Sequence, residues 1–355
     1  MYYNIKIGKE TYSQRKEFSK ITILNNDGKT FQVDNLEELP EFQKTIIKNA
    51  ILMLENPDDF FTYEINEKDE VTITSYIGKL KHIVIPEEIK GRKVTNITAI
   101  FNDKDIKSVI LPDSITKLPA CFCSEITDLS FVQLSPFIKE IPSSAFAKCV
   151  NLKYINLDNI ETIGPYALEF CQKLEEVNLQ NIKTLQLFAF ANCYMIKNIE
   201  LPNLESISEN AFCDCHNLES VILSDKVSEL KDQTFMRCKK LAKIILPKNL
   251  ESIGVSAFYK CENLENIEFP ESLKIIKTYA FNDSGLKGEI IFPKGLKQID
   301  SRAFFVNGEI TKINISENTD YQDDSFTIND ILKIKKYEKQ EKQSINIARD
   351  TTNTR

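Results

Sequence analysis

A motif ending in Ala-Phe returns along most of the chain, and no other feature limits the fold so tightly. Indexed on its Phe, the motif falls at Phe101, Phe122, Phe146, Leu168 as a substitute, Phe190, Phe212, Phe235, Phe258, Phe281 and Phe304, in steps of 21, 24, 22, 22, 22, 23, 23, 23 and 23 residues. A steady period of about 20 to 29 residues marks a solenoid whose coils each hold one strand and one return segment, and bury their apolar sides only against neighbouring coils. The unit "CKKLAKIILPKNLESIGVSAF" shows the division of labour without a gap. Ile244 and Leu246 alternate with Lys243 and Ile245, so the first pair points into the coil and the second outward. Pro247, with no N–H to offer a ladder, ends the strand. Leu250, Ile253 and Phe258 then point back toward it.

Eleven strand triplets follow this rule, centred on Val84, Ile110, Ser130, Asn156, Asn178, Glu200, Ile222, Ile245, Glu268, Ile291 and Asn314. At about 4.8 Å per coil they predict a rod or shallow arc on the order of 50 Å long, with its strands paired side by side in one long parallel sheet.

The ends read differently. Residues 1–60 contain three alternating stretches, "YNIKIG", "SKITILNN" and "KTFQVDN", that predict short strands. They are followed by a helical stripe of Leu39, Phe42, Ile46, Ala50 and Met53, with Pro40 at a first helical position and Asn56-Pro57 as the stop. This α+β segment is read as either a cap over the open solenoid end or a separate small module. Residues 61–318 hold the coils. Residues 319–355 are read as a C-terminal cap and polar tail; from Ile331 onward seven Lys and Arg face three acids, a net of +4, which suits a solvated tail or contact with an anionic surface.

The unit LxxIxLPxxLxxIgxxAFxxC resembles the BspA-like class of leucine-rich repeat, and the match covers about Ile65 to Ser316. The lead-in "FFTYEINEKDEVTITSYIGKLKHIVIPEEIKGRKVTNITAIF" is similar to the opening unit of that family. The fold that the resemblance implies is a leucine-rich repeat solenoid, a right-handed stack of coils with a long parallel β-sheet. It also implies a function, since family members are commonly surface or secreted adhesins of mucosa-associated bacteria and protozoan parasites. A fold alone does not supply the ligand.

Six of the nine cysteines sit three residues after the indexed position: Cys149, Cys171, Cys193, Cys215, Cys238 and Cys261. Coil spacing of about 5 Å lies within disulfide range. Stacked residues nevertheless carry parallel Cβ vectors, a poor arrangement for the bridge torsion, and Ser284 and Asn307 take the same corner later in the chain. The reading is a structural column of buried thiols and no metal site. Cys121, Cys123 and Cys213 stand off that column. "CDCH" at Cys213 to His216 resembles half a zinc site, but its second half is missing and the only other histidine, His82, lies many coils away.

Other chemistry finds little support. A formal net charge of -7 with no basic domain argues against a nucleic-acid partner. Two histidines without an evident nucleophile partner, and ten glycines without a phosphate-binding pattern, predict no catalytic residues and no cofactor. The N-terminal residues lack the apolar run of a secretory signal, and no stretch reaches the roughly 18 apolar residues of a membrane span, so no integral membrane segment is expected.

What remains is the outward strand face. One column carries Asn156, Asn178, Glu200, Ile222, Ile245 and Glu268, with Ile110 and Ile291 read as further exposed positions; the adjacent column carries Tyr154, Glu176, Asn198, Lys243 and Asn266. Each of these side chains also suits a plain sheet ladder, while the face as a whole reads as a protein-binding surface with apolar centres and an acidic tint. The expected assembly is a monomer with one protein partner of unidentified kind. Two functions stay open: a surface or secreted adhesin-like protein, as the resemblance implies, or an intracellular scaffold, which the missing signal and the odd cysteine count favour.

Overall fold

The computed structural model describes residues 41–98, 101 and 105–336, together with the backbone of the antiparallel strands Tyr3–Lys6, Ile21–Asn25 and Thr30–Val33. From His82 to Lys336 the chain winds as a β-solenoid of about 11 turns with parallel sheets. Before it stands a hairpin, Phe61–Ile65 against Val71–Tyr76, whose second strand pairs in parallel with Arg92–Ile97. Of the predicted stripe, Phe42, Ile46, Ala50 and Met53 fall in helix α1, Glu41–Glu55, which buries Ile46, Ile47, Ala50 and Met53 and leaves Phe42 exposed, while Leu39 and Pro40 lie outside the described residues.

Three ladders hold the coils together. The first is the predicted strand sheet, which comes in three blocks. His82–Val84, Ser108–Ile110, Phe131–Gln133 and Tyr154–Ile155 form one. Asn198–Leu201, Ser220–Leu223 and Lys243–Ile245 form the second, and Gly288–Ile291, Ile310–Ile315 and Ile334–Lys336 the third. No strand is assigned at Glu176–Asn178 or Asn266–Glu268, which separates the blocks; Val177 and Ile267 there are only partly buried.

The second ladder lies on the return segments, where no strand is legible from the sequence pattern. Two-residue strands pair in parallel from Glu140–Ile141 to Ser206–Ile207 and from Glu229–Leu230 to Asp320–Tyr321. Between strand and return, Asn181, Asn203 and Asn249 each donate Nδ2 to a backbone carbonyl of the preceding coil, at 2.6, 2.8 and 2.8 Å.

The third ladder runs along the Ala-Phe corner. The indexed residue donates its N–H to the Ala carbonyl of the next coil, as from Phe146 to Ala167, Leu168 to Ala189 and Phe258 to Ala280. This pattern corrects the sequence register in one coil. Cys123 donates to Ala145 and Phe122 accepts from Phe101, so Cys123 holds the index slot and Phe122 the Ala slot. Phe326 adds a further coil, stacked on Phe304 at 5.3 Å. The steps from Phe101 through Cys123 to Phe326 are then all 22 or 23 residues, which is what a constant coil circumference requires.

The residues two before and two after the index adopt left-handed backbone, including Ser144 and Lys148, Tyr166 and Phe170, and Arg302 and Val306. Each non-glycine residue there costs about 1 kcal/mol or more. The stack offsets this because Ser144, Lys148, Tyr166 and Phe170 all donate their N–H to the next coil. Inside the corner, Phe190, Phe212, Phe235, Phe258, Phe281, Phe304 and Phe326 form one continuous pile of rings 5.0 to 5.7 Å apart.

Candidate binding face

The outward strand columns are set by register. Asn198, Ser220 and Lys243 lie side by side, as do Glu200, Ile222 and Ile245. Their inward neighbours Ile199, Val221 and Ile244 are buried, so the alternation read from the sequence holds. Ile222 and Ile245 are 38% and 47% exposed and neighbour one another in register as an apolar strip, with exposed Glu200 beside them. Glu176, Asn178, Asn266 and Glu268 are exposed in the two coils without an assigned strand. Ser220, missed in the sequence reading, completes the adjacent column and donates Oγ to Asn198 Oδ1 at 2.7 Å.

Nearer the N-terminus the same face is not free. Ile110 is 4% exposed, against the expectation of an open β-branched position, and the strand centre placed at Ser130 belongs to Gln133, which pairs with Ile110 and is itself buried. Helix α1 lies at this end of the face. It seals the edge of His82–Val84, with Asn49 Nδ2 donating to the His82 carbonyl at 3.0 Å and the Val84 N–H directed at Met53 Sδ at 3.3 Å. Its Phe42 ring packs edge-on against both His82 (5.4 Å) and Phe131 (5.7 Å), and Phe131 stacks on Tyr154 at 5.0 Å. His82 Nδ1 lies 2.9 Å from Ser108 Oγ; burial, with the nearby Lys107 charge, lowers the ring's pKa.

Two predicted face residues have structural work. Asn156 accepts from the Leu134 N–H at 2.6 Å and donates to the Leu134 carbonyl at 3.2 Å, and Asn178 donates to Asp158 at 2.6 Å. The open part of the face therefore runs from Glu176 to about Ile291. Asn314, at its far end, is 8% exposed.

The thiols of Cys149, Cys171, Cys193, Cys215, Cys238 and Cys261 are buried and unbridged. Each donates to the carbonyl of the index residue one coil back, at 2.9 to 3.3 Å. Burial raises the pKa of all six, Cys149 to about 12, and of Cys123 as well. A protonated, enclosed thiol is neither a nucleophile nor a metal ligand.

The "CDCH" segment forms a clasp. Asp214 accepts Arg237 Nε and Nη2 at 2.6 and 2.5 Å and His216 Nε2 lies 3.3 Å away, while the His216 ring stacks on Tyr194. Burial, and then the Asp214 carboxylate, push the Cys213 thiol up to about 12. Among the described residues no group of three or more His, Cys, Asp or Glu is placed to hold a metal ion, and no helix is long and apolar enough to cross a membrane.

A sequence profile of the BspA type leucine-rich repeat region, six copies long, matches residues 95–219 and 205–333. The chain is also similar to a leucine-rich repeat protein from Bacteroides ovatus, with 23% identity over 79% of this chain and 76% of that one and a TM-score of 0.55. Further similar structures are the pneumococcal vaccine antigen PcpA (20% identity, 81% and 94% covered, TM-score 0.47) and a leucine rich cell surface protein from Faecalibacterium prausnitzii (18%, 80% and 95%, TM-score 0.42). No curated protein sequence matches the chain.

Proposed function

Since the chain belongs to the BspA-type leucine-rich repeat family, a family of protein-interaction solenoids, we propose that it binds a protein partner through the open strand face between Glu176 and Ile291 and carries out no catalysis. The observation that carries this reading is the exposed pair Ile222 and Ile245, set in register on a rigid sheet whose inward side is fully packed. A rigid surface loses little conformational entropy on association, and exposed apolar side chains at its centre supply the burial that drives it. The proposal extends to an adhesin-like role, with a host or microbial macromolecule recognised outside the cell. A second reading, an intracellular scaffold, is favoured by the nine unbridged cysteines, which suit a reducing compartment.

The test pairs a binding assay with localisation. The full chain and its Ile222→Asp/Ile245→Asp variant are compared for saturable binding to intact host cells and immobilised matrix, with circular dichroism to verify folding. Binding that is saturable and lost in the variant supports the face; equal binding by both rejects it. Non-penetrating protease on source cells then separates the readings, because a surface protein is cut in intact cells and a scaffold only after lysis.

A further inference from the structure

The chemistry of the partner is written in the charges that frame the isoleucines. At the outward and lead-in strand positions of the five coils from Glu175 to Glu268 stand six carboxylates, Glu175, Glu176, Glu200, Glu219, Glu265 and Glu268, against two ammonium groups, Lys197 and Lys243. Of the six, Glu265 is held by Lys287 at 2.7 Å, and the other five are in no ion pair among the described residues. Several acids of the return segments, by contrast, meet a lysine of a neighbouring coil. On the return side Lys183 meets Glu161 at 2.7 Å, Lys226 meets Glu205 at 3.1 Å and Lys274 meets Glu251 at 2.6 Å. Like charges on neighbouring strands are unfavourable, so five unpaired carboxylates gathered on one sheet face work against stability.

The arrangement is also ordered. Along the outer column the sequence is Glu200, Ile222, Ile245, Glu268, one residue per coil, so the apolar strip has a carboxylate at each end. Three coil steps place the two carboxylates about 14 Å apart. In an extended chain, residues i and i+4 point to one side and lie about 13 to 14 Å apart, with i+2 midway between them. We infer that this face takes an extended partner segment of the form cation–x–apolar–x–cation, its apolar side chain on Ile222 and Ile245 and its Lys or Arg groups at Glu200 and Glu268. The inference rests on the strand face being the binding surface and adds the charge, order and direction of what docks there, along the solenoid axis.

The test uses the full chain labelled at isoleucine methyl groups and two acetylated, amidated peptides, Lys-Ser-Leu-Ser-Lys and Glu-Ser-Leu-Ser-Glu. The basic peptide is expected to shift the Ile222 and Ile245 methyl signals and leave exposed Ile291 unmoved, with the effect fading at high salt; the acidic peptide is expected to shift neither. Glu200→Lys/Glu268→Lys, which turns two exposed attractions into repulsions, is expected to weaken the basic peptide about tenfold. Equal response to both peptides overturns the charge assignment while leaving an apolar docking face. No response at Ile222 and Ile245, or shifts confined to other isoleucines, overturns the inference. In that case the proposed function itself stands or falls separately, on whether Ile222→Asp/Ile245→Asp loses cell and matrix binding.

Discussion

The buried thiols make the solenoid sensitive to alkali, and the size of the effect can be worked out. Seven cysteines, Cys123, Cys149, Cys171, Cys193, Cys215, Cys238 and Cys261, are 0% exposed, and burial raises the pKa of each. In the unfolded chain a thiol titrates near 8.5. A folded-state pKa above the unfolded one means that the stability these groups contribute is fully present below about pH 8.5 and is lost as pH rises, over a window that for Cys149 ends at about 12. Within that window each thiol removes about 1.4 kcal/mol per pH unit, so seven remove on the order of 10 kcal/mol per unit, comparable with the whole stability of an ordinary domain. The assay is urea unfolding at half-unit steps from pH 8 to 10.5 under a phosphine reductant, followed by circular dichroism. Replacing three of the seven, in Cys215→Ala/Cys238→Ala/Cys261→Ala, should cut the slope to about 6 kcal/mol per unit whatever it does to stability at pH 7. Because each coil contacts only its neighbours, hydrogen exchange should show coils from Cys123 to Cys261 opening before the last ones, where Ser284 and Asn307 take the corner. A wild-type slope below about 2 kcal/mol per unit, or the same slope in the triple variant, would refute the reasoning.

The ring pile and the helix contact give two further expectations. Phe258, enclosed between Phe235 at 5.6 Å and Phe281 at 5.0 Å, should cost about 3 to 5 kcal/mol as Phe258→Ala but about 1 to 2 as Phe258→Leu, since Leu168 fills the same slot elsewhere and only ring-to-ring attraction is lost; equal losses in thermal unfolding would contradict this. The His82 ring has its pKa lowered by burial and Lys107, so docking of Glu41–Glu55 should be intact above about pH 6.5 and weaken as pH falls below it. Hydrogen exchange of that helix, corrected for intrinsic rates, should quicken at pH 5 in the wild type and lose its pH dependence in His82→Gln; an unchanged rate in the wild type would count against it.

The repeat alone determined the coil, its period and the inward or outward direction of nearly every strand residue, because a two-residue alternation inside a 22- or 23-residue circumference leaves one packing solution. Ile244 buried and Ile245 exposed were readable from "LAKIILP" for that reason. Only the stacked structure decided what depends on contact between distant coils. Cys123 in the Phe slot could not be told from Phe122 beside it, since both are apolar and only the carbonyl each one meets distinguishes them. The return ladder, two residues per coil, is too short to carry a periodic signal, and left-handed Phe170 or Val306 runs against local preference and is held by its hydrogen bond to the next coil or by the stacked corner around it. The extent of the binding face was hidden for the same reason. Ile110 and Ile245 look alike in sequence, and it is helix α1, arriving from some sixty residues earlier to close the first strand edge, that accompanies the burial of one while the other stays in water.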